Sequence, residues 1–228
     1  MTDRPTALVT GASRGVGAAV ARALGPTHHV ILGGRDEKAL AGVAAELPDA
    51  RPWPVELTRV TQADVAGVER LDVLVHSAGI SVLGRIADQG ADVWRRTFEV
   101  NVVAVAELTR LLLPALRAAK GHVVCVNSGS GQRANPDWAS YAASKFALKA
   151  FADALRLEEP ALRVTTVYPG RTATDMQRGV RAYEGGEFEP DRYLQPESVA
   201  RAVLAAVAAG PDAHLTELTL RPRGGPVT

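Results

Sequence analysis

Tyr141-Ala142-Ala143-Ser144-Lys145 holds the side-chain pair in this chain best suited to moving a proton. A separation of four puts the phenol and the amine on one face of a helix, about a turn apart. A free tyrosine has a pKa of about 10, too high for a proton shuttle at neutral pH. An ammonium at about 4 Å, in an effective dielectric of about 20, is worth about 4 kcal/mol, or up to about three pKa units in favour of the phenolate. That brings Tyr141 into range as an acid–base group. Lys and Arg together number 26, yet only four are lysines, so an amine at this place is informative. It is also the cation whose pKa moves most readily, which an arginine cannot imitate. Thirteen residues ahead of the tyrosine, the run His122–Asn127 ends at Ser128, followed by Gly129-Ser130-Gly131. A hydroxyl at the carboxyl end of a parallel strand stands where open α/β sheets bind ligands, and it can donate to an oxygen that gathers charge. Ser130 is the rival for that role.

A second constellation lies near the start of the chain. The apolar run Ala7–Thr10 leads into Gly11-Ala12-Ser13-Arg14-Gly15-Val16-Gly17 and then an alanine-rich helical stretch. Strand, glycine turn and helix start together make a phosphate site, because glycine admits the ligand to the backbone and the helix N-terminus offers free N–H groups and a positive dipole end. The next strand ends Ile31-Leu32-Gly33-Gly34-Arg35. An NAD enzyme usually places a carboxylate there for the ribose 2′-hydroxyl, whereas a cation suits a 2′-phosphate. Arg35, with Arg14 as a second cation, therefore points to NADP, with NAD the lesser alternative. Asp36 either caps the following helix or turns toward the ribose.

The loop has the form Thr-Gly-x-x-x-Gly-x-Gly, and with Tyr141-x-x-x-Lys145 the chain resembles the short-chain dehydrogenase/reductase family, of the NADP-preferring type. The resemblance covers nearly the whole chain through five motifs in order. It implies a catalytic tetrad of Asn101, Ser128, Tyr141 and Lys145, with Asn101 at a helix kink that frees a carbonyl for a water leading to the lysine. It implies cofactor contacts from Gly11, Ser13, Arg14, Gly15, Val16, Gly17, Arg35, Asn101, Tyr141 and Lys145. Glu56-Leu57 takes the place of the family's Asp and hydrophobic neighbour at the adenine. His76-Ser77-Ala78-Gly79 replaces Asn-Asn-Ala-Gly, with Ala78 and Gly79 still beside the ribose and the exchanged residues bracing the sheet. Pro169-Gly170-Arg171-Thr172-Ala173-Thr174 resembles the family's Pro-Gly-x-x-x-Thr, placing Thr172 and Thr174 at the nicotinamide carboxamide and diphosphate. Arg171 has no assigned role and reads as a surface cation.

The elements that must position these residues alternate along the chain. Short β-branched runs at Ala7–Thr10, His29–Gly33, Arg51–Val55, Leu71–His76, His122–Asn127, Arg163–Tyr168 and Glu217–Leu220 alternate with helical stretches at Gly15–Leu24, Glu37–Leu47, Thr61–Gly67, Asp92–Ala119, Trp138–Leu157 and Pro196–Ala209. That is the pattern of an α/β fold, a doubly wound seven-stranded parallel sheet of Rossmann type, in a single domain over residues 1–228. Several strands are continuously apolar and should be covered on both faces. Residues 174–195 break the periodicity with glycines and carry Met176, Tyr183, Phe188 and Tyr193, so a long irregular loop acting as a substrate lid is expected there. With 228 residues and 46% hydrophobic content the chain can bury a sizeable core.

A net charge of +1 with no block of like charge gives no footprint for nucleic acid or membrane, and a small-molecule substrate is expected instead. No stretch is apolar for long enough to span a bilayer, and Met1–Gly17 lacks the pattern of an export signal. The single Cys125 sits in an apolar run as an inert thiol, which suits the cytoplasm. No metal site is expected. The sequence thus reads as an NADP(H)-dependent carbonyl reductase or alcohol dehydrogenase, assembled as a homodimer or homotetramer. The alternative is a non-catalytic NADP-binding sensor or scaffold.

Overall fold

The structure, a computed structural model, describes residues 4–210 and 212–223. Seven strands, β1 (Thr6–Thr10), β2 (His29–Gly34), β3 (Ala50–Pro54), β4 (Val73–His76), β5 (His122–Val126), β6 (Arg163–Pro169) and β7 (Glu217–Leu220), form one sheet in the order β3-β2-β1-β4-β5-β6-β7. Every pairing is parallel. The helices are α1 (Gly15–Leu24), α2 (Glu37–Ala45), α3 (Gln62–Val65), α4 (Ala91–Phe98), α5 (Ala104–Ala119), α6 (Ala139–Glu158), α7 (Asp175–Tyr183) and α8 (Pro196–Val207).

Side chains alternate across the sheet, so β1 sends Leu8 into one core and Ala7 and Val9 into the other. Leu8, Leu74, Leu108, Leu112 and Leu148 pack between the sheet and the face covered by α5 and α6. Val9, Val20, Leu32, Leu40 and Val203 fill the layer under α1, α2 and α8. The strand order reverses between β1 and β4, which opens a crevice at their carboxyl ends. The outer strands need less cover: β3 carries Pro52 and Pro54, tolerated at a sheet edge, and β7 is half exposed.

Three expected elements differ from what is found. The helix expected over Asp92–Ala119 is interrupted by a π turn, Glu99–Val103, where the Ala104 N–H reaches back five residues to the Glu99 carbonyl. The helix expected at Thr61–Gly67 shrinks to the single turn α3, held by a capping box between Thr61 and Asp64. Residues 174–195, expected to be irregular, contain the nine-residue helix α7. The Thr174 hydroxyl accepts from the Gln177 N–H at 3.3 Å to start it. Gly185, at φ +71°, and Gly186 stop it in a Schellman arrangement, their N–H groups reaching the Ala182 and Arg181 carbonyls at 3.2 and 3.0 Å. The glycines that suggest a loop are therefore the helix's terminator, and only residues 184–195 lack a long element.

The first turn of α1 folds tightly against the end of β1. A Cβ at Gly17 would lie 2.2 Å from the Gly11 carbonyl oxygen, a backbone atom with no rotamer to yield. Gly17→Ala is expected to lower the unfolding midpoint by about 5 °C, from an overpacking cost of about 1–3 kcal/mol. An unchanged midpoint in a thermal scan would show that the turn relaxes freely.

Candidate active site

The carboxyl ends of β1, β4, β5 and β6 open into one cleft of about 1660 Å³, lined by the glycine loop, Ser128, Tyr141, Lys145 and the segment after β6. Tyr141 and Lys145 stand on the first two turns of α6 and are 6% and 4% exposed. The Lys145 Nζ donates to the Val126 carbonyl at 3.2 Å and lies 5.8 Å from the centre of the Tyr141 ring. Burial pulls its pKa down to about 8. Burial also pushes the Tyr141 phenol up, against a smaller opposing pull from the Ser128 hydroxyl. This corrects the expectation drawn from spacing alone: desolvation sets the direction of the shift, and the proton stays on the phenol.

Ser128 follows β5. Its Oγ accepts from the Ser130 N–H at 3.1 Å, and its hydroxyl faces the Tyr141 phenol, whose pKa it draws down. Ser130 thus serves Ser128 through its backbone. Asn127, which the sequence reading passed over, braces both neighbours: its Nδ2 donates to the Lys145 carbonyl at 3.0 Å and its Oδ1 accepts from the Ser128 N–H at 2.8 Å. A polar residue 5% exposed at a strand end was the available signal.

Asn101 lies fully buried in the π turn. Its Oδ1 accepts from the Ile80 N–H at 2.9 Å, and its Nδ2 donates to the Ile80 carbonyl at 2.9 Å and the Ser144 Oγ at 3.0 Å. The side chain is therefore a clamp between the loop after β4 and α6, and only main-chain carbonyls of the turn are left for a relay. Thr10, another residue not singled out, closes the crevice from below. Its hydroxyl accepts from the Ser77 and Ala78 N–H groups at 3.1 and 3.2 Å. His76 braces the sheet as expected, with Nε2 2.9 Å from the Thr109 Oγ1 and a pKa pushed down to about 3 by burial, hence neutral. Cys125 is buried and its pKa is pushed up to about 12, so the thiol is inert.

At the glycine loop, Arg14 precedes α1 with no side-chain cap, and no acidic residue stands in the first turn. The Ala18 N–H is taken by the Arg14 carbonyl. Gly11 and Gly15 have φ of +66° and +57°, and a Cβ at Gly11 would lie 2.9 Å from the Ala78 backbone. Ser13, Val16, Ala78 and Gly79 complete the lining. A Cβ at Gly79 would approach Asn101 Oδ1 to 3.2 Å and Lys145 Nζ to 3.8 Å, so only glycine keeps that floor open. These features fit a dinucleotide: a glycine cradle, an uncapped helix start and two exposed guanidinium groups.

Both cations have a carboxylate nearby. Arg14 lies 3.7 Å from Asp175, and Arg35 lies 3.7 Å from Glu56, all exposed. Glu56 thus faces Arg35, while Leu57 opens a short 3₁₀ turn beside it. Asp36 takes the capping role, accepting from the Ala39 N–H at 3.0 Å. After β6, Pro169 and Gly170 lead to Thr172, whose hydroxyl donates to the Gly170 carbonyl at 3.0 Å. Thr174 is engaged as the cap of α7 and donates to the Thr172 carbonyl at 3.3 Å. Arg171 is no free surface cation: it grips Glu184 with two hydrogen bonds of 2.8 and 2.6 Å, shared with Arg181. Among the described residues, no cluster could hold a metal ion and no helix is long and apolar enough to cross a membrane.

The model of the short chain dehydrogenase family matches residues 5–185. The chain is 35% identical to the glycine betaine reductase ATRR of Emericella nidulans over 97% of its own length, but spans only 19% of that protein. It is 32% identical to dehydrogenase/reductase SDR family member 7B of Bos taurus, over 88% of the chain and 69% of that protein. Among solved structures, a variant of the actinorhodin polyketide ketoreductase with NADPH superposes with a TM-score of 0.85 at 28% identity, covering 96% of this chain and 97% of that one.

Lys145 provides a test of the geometry that needs no ligand. Its folded-state pKa is lowered from 10.5 to about 8, so the unfolded chain holds more protons between those values and stability rises with pH there. Below about pH 8 both states are protonated and the full cost of burying the charge stands, at most about 3 kcal/mol. Lys145→Met should unfold at a higher temperature than wild type at pH 7, with the margin narrowing from pH 8 to 10.5. A variant less stable than wild type at pH 7 would mean that the bond to Val126 outweighs that cost.

Proposed function

The chain belongs to the short-chain dehydrogenase family, and on that premise we propose that it passes a hydride between NADP(H) and the carbon of a small carbonyl or alcohol substrate. It is a nicotinamide-dinucleotide-dependent oxidoreductase. The observation that carries the finer reading is the convergence of the Ser128 hydroxyl, the Tyr141 phenol and the Lys145 amine in the cleft that begins at the glycine loop.

When bound, the nicotinamide supplies or accepts the hydride and, oxidised, adds a positive charge. Gly11, Ser13, Gly15, Val16 and Gly17 would hold the diphosphate through backbone N–H groups, with Ala78 and Gly79 under the ribose and Pro169, Gly170, Thr172 and Thr174 at the far end. Arg14 and Arg35 would take the 2′-phosphate. Their present partners, Asp175 and Glu56, are exposed and at 3.7 Å, pairs of a kind worth at most about 1 kcal/mol, so a phosphate readily replaces them.

Ser128 turns its hydroxyl proton from the phenol to the substrate oxygen and steadies the charge that develops there. Tyr141 gives its proton to the same oxygen in reduction, and its raised pKa keeps that proton in place beforehand. Lys145 stabilises the phenolate left behind, and Asn101 holds the loop and α6 in register. This set favours an enzyme over a binding-only sensor, since a sensor needs neither a serine hydroxyl paired with a buried phenol nor a buried amine. Residues 174–195 serve as the substrate lid on a single domain. The buried free Cys125 supports a cytoplasmic location, and the half-exposed Val103 and Phe146 support a homodimer or homotetramer.

Tyr141→Phe should reduce turnover of a ketone panel by about 10²–10⁴-fold, followed at the nicotinamide absorbance band, while the NADPH Kd stays within about threefold. Full activity would remove the tyrosine from the chemistry. Separately, Arg35→Ala should raise the Kd for NADPH about tenfold and leave that for NADH unchanged, the loss of one charge-assisted contact. Equal binding of both cofactors by wild type would cancel the preference.

A further inference from the structure

Arg221 enters the cleft from the residue after β7, beside Gln132 and Pro222. Its side chain runs between two glycines. The Cδ lies 3.5 Å from where a Cβ of residue 170 would stand, and Nη2 lies 3.4 Å from that of residue 129. The arginine thus lies in van der Waals contact with both positions, along a groove at the ends of β5 and β6. Three acceptors fix the guanidinium: Nη1 donates to the Tyr168 and Leu220 carbonyls at 3.1 and 3.0 Å, and Nη2 to the Gln132 Oε1 at 3.1 Å. All three are neutral. The Nε proton and one on Nη2 are left unclaimed among the described residues, next to the backbone of the residue that follows Ser128.

The surroundings have the same sign. Arg171 and Arg181 share the single carboxylate of Glu184, while Arg96, Arg133 and Arg221 have no carboxylate within 4.0 Å among the described residues. The chain as a whole carries only +1, so positive charge is concentrated in this cleft beyond its general level. A further donor waits at the lid: Gln177, on α7, is 5% exposed, lines the cleft, and its Nε2 has no hydrogen-bond partner. Buried donors without acceptors are costly, and a ligand rich in acceptors removes that cost.

We propose that the substrate is a carbonyl or alcohol compound bearing an anionic group, a carboxylate or a phosphate, which Arg221 binds beside Ser128. The inference rests on the hydride-transfer reading for what happens at the carbonyl, and adds the charge of the molecule that brings it. A guanidinium already fixed by three neutral acceptors loses little freedom on binding, so its charge is available for recognition. Arg171, by contrast, has its charge paired with Glu184 through two hydrogen bonds, so its charge is not offered to a ligand.

The test crosses substrate charge with the charge at position 221. Reduction by NADPH is measured for 4-acetylbenzoate against its methyl ester, levulinate against methyl levulinate, and dihydroxyacetone phosphate against dihydroxyacetone, with wild type and Arg221→Gln. Wild type should prefer the charged member of at least one pair by tenfold or more in kcat/KM. Arg221→Gln should lower that charged value by about 10–100-fold, the range of a charge-assisted hydrogen bond, and leave the neutral partner within about threefold. Raising the salt should erode the preference. The pairs that respond distinguish carboxylate from phosphate. Equal use of both members in every pair overturns the inference, as does an equal fall of both in Arg221→Gln, which would make the arginine a brace for the strand ends. If nothing is turned over while NADPH binds, the hydride-transfer reading fails instead. Calorimetric binding of the same pairs to NADPH-saturated protein then decides the anion preference by itself, with equal affinities counting against it.

Discussion

The hydrogen bond from the Lys145 ammonium to the Val126 carbonyl, 3.2 Å long, holds a cation where water does not reach. Burying a charge without a carboxylate is expensive, and the rest of the cleft is arranged so that the amine keeps its place. Asn127 ties the lysine's own carbonyl to the strand that presents Ser128. Asn101 ties the preceding turn of α6, through Ser144, to the loop after β4. The glycines follow from the same demand. At Gly131 a Cβ would meet Asn127 Oδ1 at 2.3 Å and the Lys145 carbonyl at 2.9 Å. At Gly79 it would press on the Asn101 Oδ1, at 3.2 Å. Position 131 is glycine because the lysine's helix must come that close to β5.

The sheet makes such closeness possible. Since β1 and β4 are adjacent while their helices leave on opposite faces, their carboxyl ends part and the backbone beyond them is free to approach a ligand. Thr10 bridges the parting with one hydroxyl, and Gly11 meets Ala78 backbone to backbone. The cradle for the dinucleotide and the acid–base pair thus share a floor. Neither requires the other for its local geometry, yet the parallel register of β1, β4 and β5 fixes their separation.

Much of this was legible in the residues. The alternation of apolar runs and helical stretches located all seven strands; the five inner ones, buried on both faces, leave a continuous apolar signature, while β3 and β7 at the edges were placed by their position in the alternation. Tyr141, Lys145 and Ser128 were readable from spacing, since a helical turn and a strand end are fixed distances. What escaped had a common cause: it depended on partners remote in sequence. The upward shift of the Tyr141 phenol comes from its burial in the folded chain, which a spacing of four does not encode. Arg221 carries no signal in the sequence because its neighbours Gly129 and Gly170 stand 92 and 51 residues earlier. The helix α7 escaped for a different reason. In the sequence Gly185 and Gly186 break the helical period, and a glycine pair just past a helix is equally its terminator.

Charge is graded along the cleft according to how firmly each cation is held. Arg14 and Arg35 at the mouth are exposed and only loosely paired, so an incoming phosphate displaces their carboxylates at little cost. Lys145 in the interior is buried and held by a carbonyl, so its charge acts at short range on the phenol. Arg221 lies between these limits, fixed by neutral oxygens but open on one edge. The lid is governed by a fourth arrangement. Its base is pinned where Ala173 N–H donates to the Leu194 carbonyl at 2.7 Å and Leu194 N–H to the Arg171 carbonyl at 3.0 Å, and its helix end is gripped by Arg171 through Glu184. The Arg14–Asp175 contact at the other end of α7 is the weakest of these attachments. An anion that draws Arg14 away still leaves the start of α7 held, by the Thr174 cap and by the Ala173–Leu194 pairing just ahead of it, so the loss costs the lid little.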